Sequence, residues 1–394
     1  MRLFFSVGEP SGDQHAAHLI EELRRRDPNV QVSGFGGPKM AAAGADLLFP
    51  LTDLAVMGVL AVLPLIQKFR QLARDADQWF ETYRPDAVVL IDFPGFNWWI
   101  ARAAKRRGIK VVYYSPPQIW AWASWRIHKM RRLVDHILCC LPFESDWYKA
   151  QSLPAEYVGH PFFDDIAHKP LDRDFLERHQ PDAQTRIIGV LPGSRNHEVR
   201  HNFPLQIQVM KQLARRHPEA RFLVACYKEH QRDFCQKMLE RQRVEFPVEL
   251  SVGKTSEIIE ASELCLMVSG SVSLELLARE TPAVVLYHVD KVFALCAKLL
   301  VTCKWMSLPN LIAGRTLMPE FPLWGRATRG VHGMTDTISR WISDRSLLDY
   351  KVAELADLKR QVAIPGATTR AAEAILRHMG VTQATHPQRS RAAA

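Results

Sequence analysis

Short apolar runs alternate along the chain with stretches in which apolar residues recur every three or four positions. The first run, 3–7 (LFFSV), meets the polar turn Gly8-Glu9-Pro10-Ser11-Gly12-Asp13, after which Ala16, Leu19, Ile20 and Leu23 share one helical face. The spacing predicts strand, turn, helix. The unit returns at 87–91 (AVVLI), ahead of Asp92-Phe93-Pro94-Gly95-Phe96-Asn97, and 111–114 predicts another strand after a basic helix end at 105–107. Buried strands alternating with amphipathic helices imply an α/β protein with a parallel sheet covered on both faces.

A polar stretch at 160–185 breaks this rhythm, and a second series follows, with strands expected at 187–191, 221–225, 263–268 and 282–287. The expected organisation is two doubly wound domains, 1–165 and 186–345, joined by a linker at 166–185. Helices at 346–380 follow, interrupted at Ile364-Pro365-Gly366, where the chain has an opportunity to cross back to the first domain. Residues 381–394 read as a disordered tail. Such sheets bind ligands at the carboxyl ends of their strands, so two of them suggest a cleft between binding faces.

Composition changes this picture little: 394 residues, 47% hydrophobic and 24% charged, are ample for two cores. The net charge of +9 could meet nucleic acid, anionic lipid or a phosphorylated substrate. No aromatic RNA-binding signature or zinc-finger spacing occurs, which makes nucleic acid the weakest of the three. Seven cysteines without a CxxC read as buried thiols of a reducing compartment. No signal-peptide core opens the sequence and no apolar run reaches the roughly 18 residues of a spanning helix, so the expected location is the cytoplasm.

Three turns carry candidate chemistry. The first, 8–13, lacks both the GxGxxG fingerprint and a Walker lysine, and its two acids, Glu9 and Asp13, would repel a diphosphate. It suits a neutral sugar or a proton-transfer site; equally, Ser11 or Asp13 could simply cap a helix. Gly193, Ser194 and Arg195 join a close-approach glycine, a hydroxyl and a guanidinium at a strand end, a set able to clamp a phosphate and offset charge on a departing diphosphate. The third turn runs Gly270, Ser271, Val272, Ser273, with Glu275 placed to accept ribose hydroxyls, although a glutamate in a first helical turn is also an ordinary capping residue. Asp92, ending a strand beside a Pro-Gly turn, is a candidate general base or a carboxylate holding nearby backbone N–H groups. No DxD or HxxH set marks a metal, and Asp164-Asp165 reads as a solvated turn; no metal and no cofactor is expected.

Residues 54–66 (LAVMGVLAVLPLI) are nearly all apolar and then give way to Lys68, Arg70 and Arg74. The segment fits buried core, or an interfacial element in which Val59, Leu60, Val62, Leu63 and Ile66 dip into anionic lipid.

Together these motifs resemble the lipid-A-disaccharide synthase family of GT-B glycosyltransferases. The matching segments are GEPSGD (8–13), GFGGPKM (34–40), AVMGV (55–59), IDFPGFN (91–97), QIWAW (118–122), LPFE (141–144), VGHP (158–161), LPGSR (191–195), SGSVSLE (269–275) and SLPNLIAGR (307–315), in order along the chain. The resemblance implies transfer of the sugar of UDP-2,3-diacylglucosamine to 2,3-diacylglucosamine 1-phosphate, with inversion, giving a β-1,6 disaccharide and UDP. It implies that the second half holds UDP, through Ser194, Arg195, Gly270, Ser271, Glu275, Asn310 and Arg315. The first half would receive the acceptor near Glu9, Ser11, Gly12 and Asn97, with Asp92, or else Asp13, as base. It also implies a peripheral place on the inner face of the cytoplasmic membrane, and is compatible with a homodimer.

Two positions depart from the family pattern: Gly95 and Ala61 stand where acids are common. Asp92 is then the only carboxylate of its turn. The competing readings are another GT-B transferase or a UDP-sugar epimerase, which need no acylated acceptor, and a non-catalytic lipid or nucleotide-sugar binding protein.

Overall fold

A computed structural model describes residues 1–54, 63–180, 185–288, 301–323 and 328–380. Val59, Leu60, Ala61, Val62, Cys296 and the tail 381–394 lie outside them, as does the side chain of Leu63. The six cysteines within them are free thiols, five of them buried.

The chain divides into two compact units. The first comprises Met1–Ile119, Ser124–Pro161 and the chain from Gly366 onward; the second comprises Trp120–Ala123 and Phe162–Pro365.

In the first unit the strands are β1 (Arg2–Val7), β2 (Gln31–Phe35), β3 (Asp46–Phe49), β4 (Ala87–Ile91), β5 (Lys110–Tyr114), β6 (His136–Cys139) and β7 (Ala155–Tyr157). They form one sheet in the order β3-β2-β1-β4-β5-β6-β7, parallel throughout. Every residue of β4 is buried, as a strand covered on both faces requires. One face packs Phe4, Phe80, Val88 and Tyr113, the other Phe5, Leu19, Val89 and Tyr114. The last helix, Ala367–His378, adds Ala371, Ile375 and Leu376 to the second of these cores. The crossing therefore falls at Pro365/Gly366, where Gly366 takes φ +91°.

The second unit contains β8 (Arg186–Leu191), β9 (Ala220–Cys226), β10 (Val248–Val252), β11 (Leu264–Val268), β12 (Ala283–His288) and β13 (Glu320–Leu323), in the order β10-β9-β8-β11-β12-β13 and again parallel. The stretch 166–185, expected as a linker, is instead partly helical. Pro161–His168 and Arg173–Arg178 are helices whose Phe163 and Phe175 are buried in this unit's core. Polar residues conceal these two anchors, because two apolar side chains suffice to dock a short helix. Asp164 and Asp165 lie within the first of these helices rather than in a turn.

Candidate functional site

A doubly wound sheet opens where its strand order reverses, between β1 and β4 in the first unit and between β8 and β11 in the second. The three candidate turns and Asp92 sit at these two places.

In the first unit Asp92 follows the carboxyl end of β4. Asp92 and Phe93 both adopt left-handed backbone, with φ +48° and +40°, and Ser115, just past β5, takes φ +52°. Non-glycine residues rarely hold such angles without being clamped, and clusters of them mark sites where geometry serves function. The clamp is visible: Tyr113 Oη and Asn97 Nδ2 both donate to the carbonyl of Asp92, at 2.7 and 2.8 Å. Ser115 Oγ donates to Asp92 Oδ1 at 3.3 Å. A side chain on Gly12 would meet the other oxygen, Oδ2, at 3.2 Å, so the glycine leaves room beside the acid. Gly8 has a comparable purpose, because a Cβ there would lie 2.3 Å from the ring of Phe93. Burial pushes the half-buried Asp92 up to about 7, the charge of Glu9 adds to the rise, and the Ser115 hydrogen bond opposes it.

The other first-unit residues fall into different roles. Asn97 is fully buried. It donates to the carbonyls of Ser6, Ile91 and Asp92 and accepts from Ser6 Oγ at 2.6 Å, joining β1 to the end of β4. Asp13 is buried in helix α1 (Pro10–Arg26), and its carboxylate accepts the N–H groups of Gly37, Lys39 and Met40. It thus caps the following helix, α2 (Pro38–Ala42), rather than its own. Glu9 is half-buried and Ser11 exposed at the start of α1, while Gly95 faces open space.

In the second unit a cavity of about 210 Å³ opens at the β8/β11 reversal. Gly193, Ser194, Arg195, Gly270, Ser271 and Val272 line it, together with Glu198, Tyr227, Thr255 and Ser269. Arg195 is the cationic side chain among these, and 49% of it is exposed. Glu198 organises the turn: one carboxylate oxygen accepts the N–H groups of Ser194 and Arg195, and the other pairs with the Arg195 guanidinium at 3.0 Å. Gly193 takes φ +114°, and a Cβ there would collide with Glu198 at 2.6 Å. Tyr227 and Thr255 escape a search for phosphate-loop motifs, since each is an isolated residue; the one available signal is that Tyr227 directly follows β9.

Four expected UDP-side residues do not line this cavity. The N–H and hydroxyl of Ser273 both turn back to the carbonyl of Gly270, so that N–H is not part of a phosphate cradle. Glu275 is buried against Arg279, 3.2 Å away. Asn310 is fully buried, bonded to the main chain of Leu317 and Met318 and to Glu320. Arg315 pairs with Glu354. Glu320 is a further hub, accepting from Met306, Ser307 and Asn310, and no local motif announces it.

Comparison with known proteins decides which chemistry this arrangement belongs to. The family model described as lipid-A-disaccharide synthetase matches residues 3–329. The chain belongs to the lipid-A-disaccharide synthase family. It is 34% identical to the lipid-A-disaccharide synthase of Anaeromyxobacter dehalogenans (strain 2CP-1) over 95% of this chain and 97% of the relative. Against that of Myxococcus xanthus it is 34% identical, again over 95% and 97%. Among solved structures, the S. aureus MnaA–UDP co-structure superposes with a TM-score of 0.65 at 12% identity, covering 97% of both chains. The calicheamicin glycosyltransferase CalG4 gives 0.59 at 14% identity, over 96% of this chain and 98% of that one. At such identities these two speak for the fold alone, the GT-B type expected of the family. Among the described residues no helix is long and apolar enough to cross a membrane.

Proposed function

We propose that this chain is an inverting glycosyltransferase of lipid A biosynthesis. It joins UDP-2,3-diacylglucosamine to 2,3-diacylglucosamine 1-phosphate, giving the β-1,6-linked disaccharide 1-phosphate and UDP. The observation that carries this reading is the family match, which runs through both units and includes both strand-end turns.

The acceptor's 6-hydroxyl attacks the donor's anomeric carbon from the face opposite UDP. Asp92 takes the hydroxyl proton as the new C–O bond forms, and the bond to the diphosphate breaks with its electron pair leaving on UDP. An acid near pKa 7 suits this task, being substantially ionised at neutral pH yet basic enough to accept a proton. Arg195 meets the charge that accumulates on the departing diphosphate, which makes a metal unnecessary for that step. Ser194 and the turn at 270–272 offer hydrogen bonds to the same group, and the exposed ring of Tyr227 offers the uracil a flat face. Asn97 and Gly12 act through Asp92, one by fixing its backbone and the other by leaving space beside its carboxylate. Asp13, with three N–H groups on its carboxylate, is a structural tie.

Acylated substrates call for a membrane surface, and we place the enzyme peripherally on the inner face of the cytoplasmic membrane. The support is a groove of about 260 Å³ lined by Arg70, Arg74, Arg102 and Arg106, with Asp77 as the acid in its lining. Two of these arginines, Arg70 and Arg74, follow the apolar segment 54–66 closely in sequence, the pairing of greasy and cationic residues that an interfacial site uses.

The direct test incubates the purified chain with both lipid substrates and looks for disaccharide and UDP. Formation of both supports the reading. Conversion of the UDP-sugar with no acceptor present would instead favour an epimerase, and binding without conversion a non-catalytic protein.

A further inference from the structure

We propose that His136, Glu156 and His378 form a binding site for one transition-metal dication of the zinc class, which fastens the last helix to the edge of the first unit's sheet. The three come from distant parts of the chain: His136 opens β6, Glu156 is the middle residue of the edge strand β7, and His378 ends the helix Ala367–His378. Their separations of 20 and 222 residues explain why no ligand spacing is visible in the sequence.

The geometry is that of a ligand set. Nε2 of both imidazoles converges on one carboxylate oxygen, Glu156 Oε1, at 2.8 Å from His136 and 3.3 Å from His378. One ligand atom from each residue lies within 4.8 Å of the others. With zinc bonds of about 2.0–2.1 Å in a tetrahedron, neighbouring ligand atoms stand roughly 3.3 Å apart. Both spacings to Glu156 Oε1 lie close to this value. On binding, the metal takes the place of the hydrogen bonds to Glu156, and each imidazole ligates through the Nε2 lone pair as its neutral Nδ1–H tautomer, the proton moving from Nε2 to Nδ1 by exchange with solvent.

The surroundings hold the ligands in place. Arg377 donates to the other carboxylate oxygen, Oε2, at 2.7 Å and so turns Oε1 toward the histidines. Lys110 Nζ donates to the carbonyl of His378, and Arg370 Nε to that of Val158, tying both ends of the helix to the sheet. The His136 and His378 rings stack with centroids 3.5 Å apart, and they splay on binding so that both Nε2 atoms point at the metal. All three residues keep part of their surface exposed, which admits a metal and a water as fourth ligand. Two imidazoles and a carboxylate favour zinc, nickel, cobalt or copper over magnesium or calcium. His136 stands at the amino end of its strand, opposite to the strand ends that carry Asp92, so the role we assign is structural and separate from transfer.

The test uses the full-length protein, stripped of metal with a chelator, dialysed, and titrated with Zn²⁺ alone by calorimetry and thermal unfolding. One tight equivalent and a higher Tm are expected, with affinity lowered about tenfold or more in His136→Ala and His378→Ala. His378→Gln and Glu156→Gln, which keep hydrogen-bonding side chains, replace any alanine variant that does not fold and should also bind more weakly. The proposal is overturned if the wild type takes up no zinc, or if all variants bind it as tightly as the wild type does.

Discussion

Asn97 Nδ2 lies 2.8 Å from the carbonyl oxygen of Asp92, and this hydrogen bond holds a residue whose φ of +48° would otherwise relax. The same amide reaches Ser6 and Ile91, so it couples the ends of β1 and β4 to the conformation of the acid. Replacing Asn97 by Ala leaves several buried polar groups unpaired, at about 1–3 kcal/mol each before relaxation. The expected result is a loss of about 2–4 kcal/mol in denaturant unfolding, with kcat reduced and UDP affinity unchanged. Stability and kcat both equal to wild type would show that the clamp has no such role.

Arg195 is half exposed and its ion partner is Glu198, so Arg195→Ala should fold normally. Losing one charge contact to a departing diphosphate costs roughly 2–4 kcal/mol in the transition state, or about 30- to 1000-fold in turnover. Steady-state kinetics with both substrates checks this, and an EDTA-treated wild type should keep its rate. Normal turnover in the folded variant, or a strict Mg²⁺ requirement, would contradict the leaving-group chemistry.

The arginine groove gives the membrane reading a separate handle. Each Lys or Arg near an anionic surface contributes about 1 kcal/mol, so the triple variant Arg70→Gln, Arg74→Gln, Arg102→Gln should bind phosphatidylglycerol vesicles ~10²-fold more weakly. Sedimentation with vesicles at two salt concentrations measures it. Unchanged binding would remove the groove from the account.

Much of the fold was readable because continuous apolar strands followed by helical periodicity announce a doubly wound sheet. The runs at 3–7 and 87–91 became β1 and β4 nearly residue for residue. What escaped was long-range. Asp13 reads in the sequence as a base or a helix cap; it is a cap, but of a helix the local sequence does not point to, its first partner being the N–H of Gly37, 24 residues on. Asn310 and Ser273 stand in family motifs, yet spend their polar atoms on the main chain and on Glu320, a pairing that only the folded register creates. Tyr227 reaches the second unit's cavity through its position after β9 rather than through any motif.

The pKa of Asp92 has a consequence for stability. Burial raises it to about 7, whereas the unfolded chain releases the proton near 4. The folded state therefore binds more protons between these values, and Asp92's contribution is full below about pH 4 and lost as pH rises through 7. Asp92→Asn removes the buried charge, so its Tm should exceed that of wild type at pH 8, the difference shrinking toward pH 4. A variant less stable than wild type at pH 8 would speak against a raised pKa.

The role proposed for Asp92, taking the proton of the acceptor hydroxyl, is put to the test by the pH dependence of kcat and kcat/KM in Asp92→Asn, measured beside Asp13→Asn. A positioned base contributes about 10²–10⁴-fold. Wild type should lose kcat/KM as pH falls below about 7, while Asp92→Asn should be slower in kcat by about that factor, lack the acidic limb and bind UDP normally. Asp13→Asn should lose stability through its broken cap on α2 and keep most of its kcat. Wild-type kcat in Asp92→Asn, together with its loss in a folded Asp13→Asn, would contradict the account and assign the proton to Asp13.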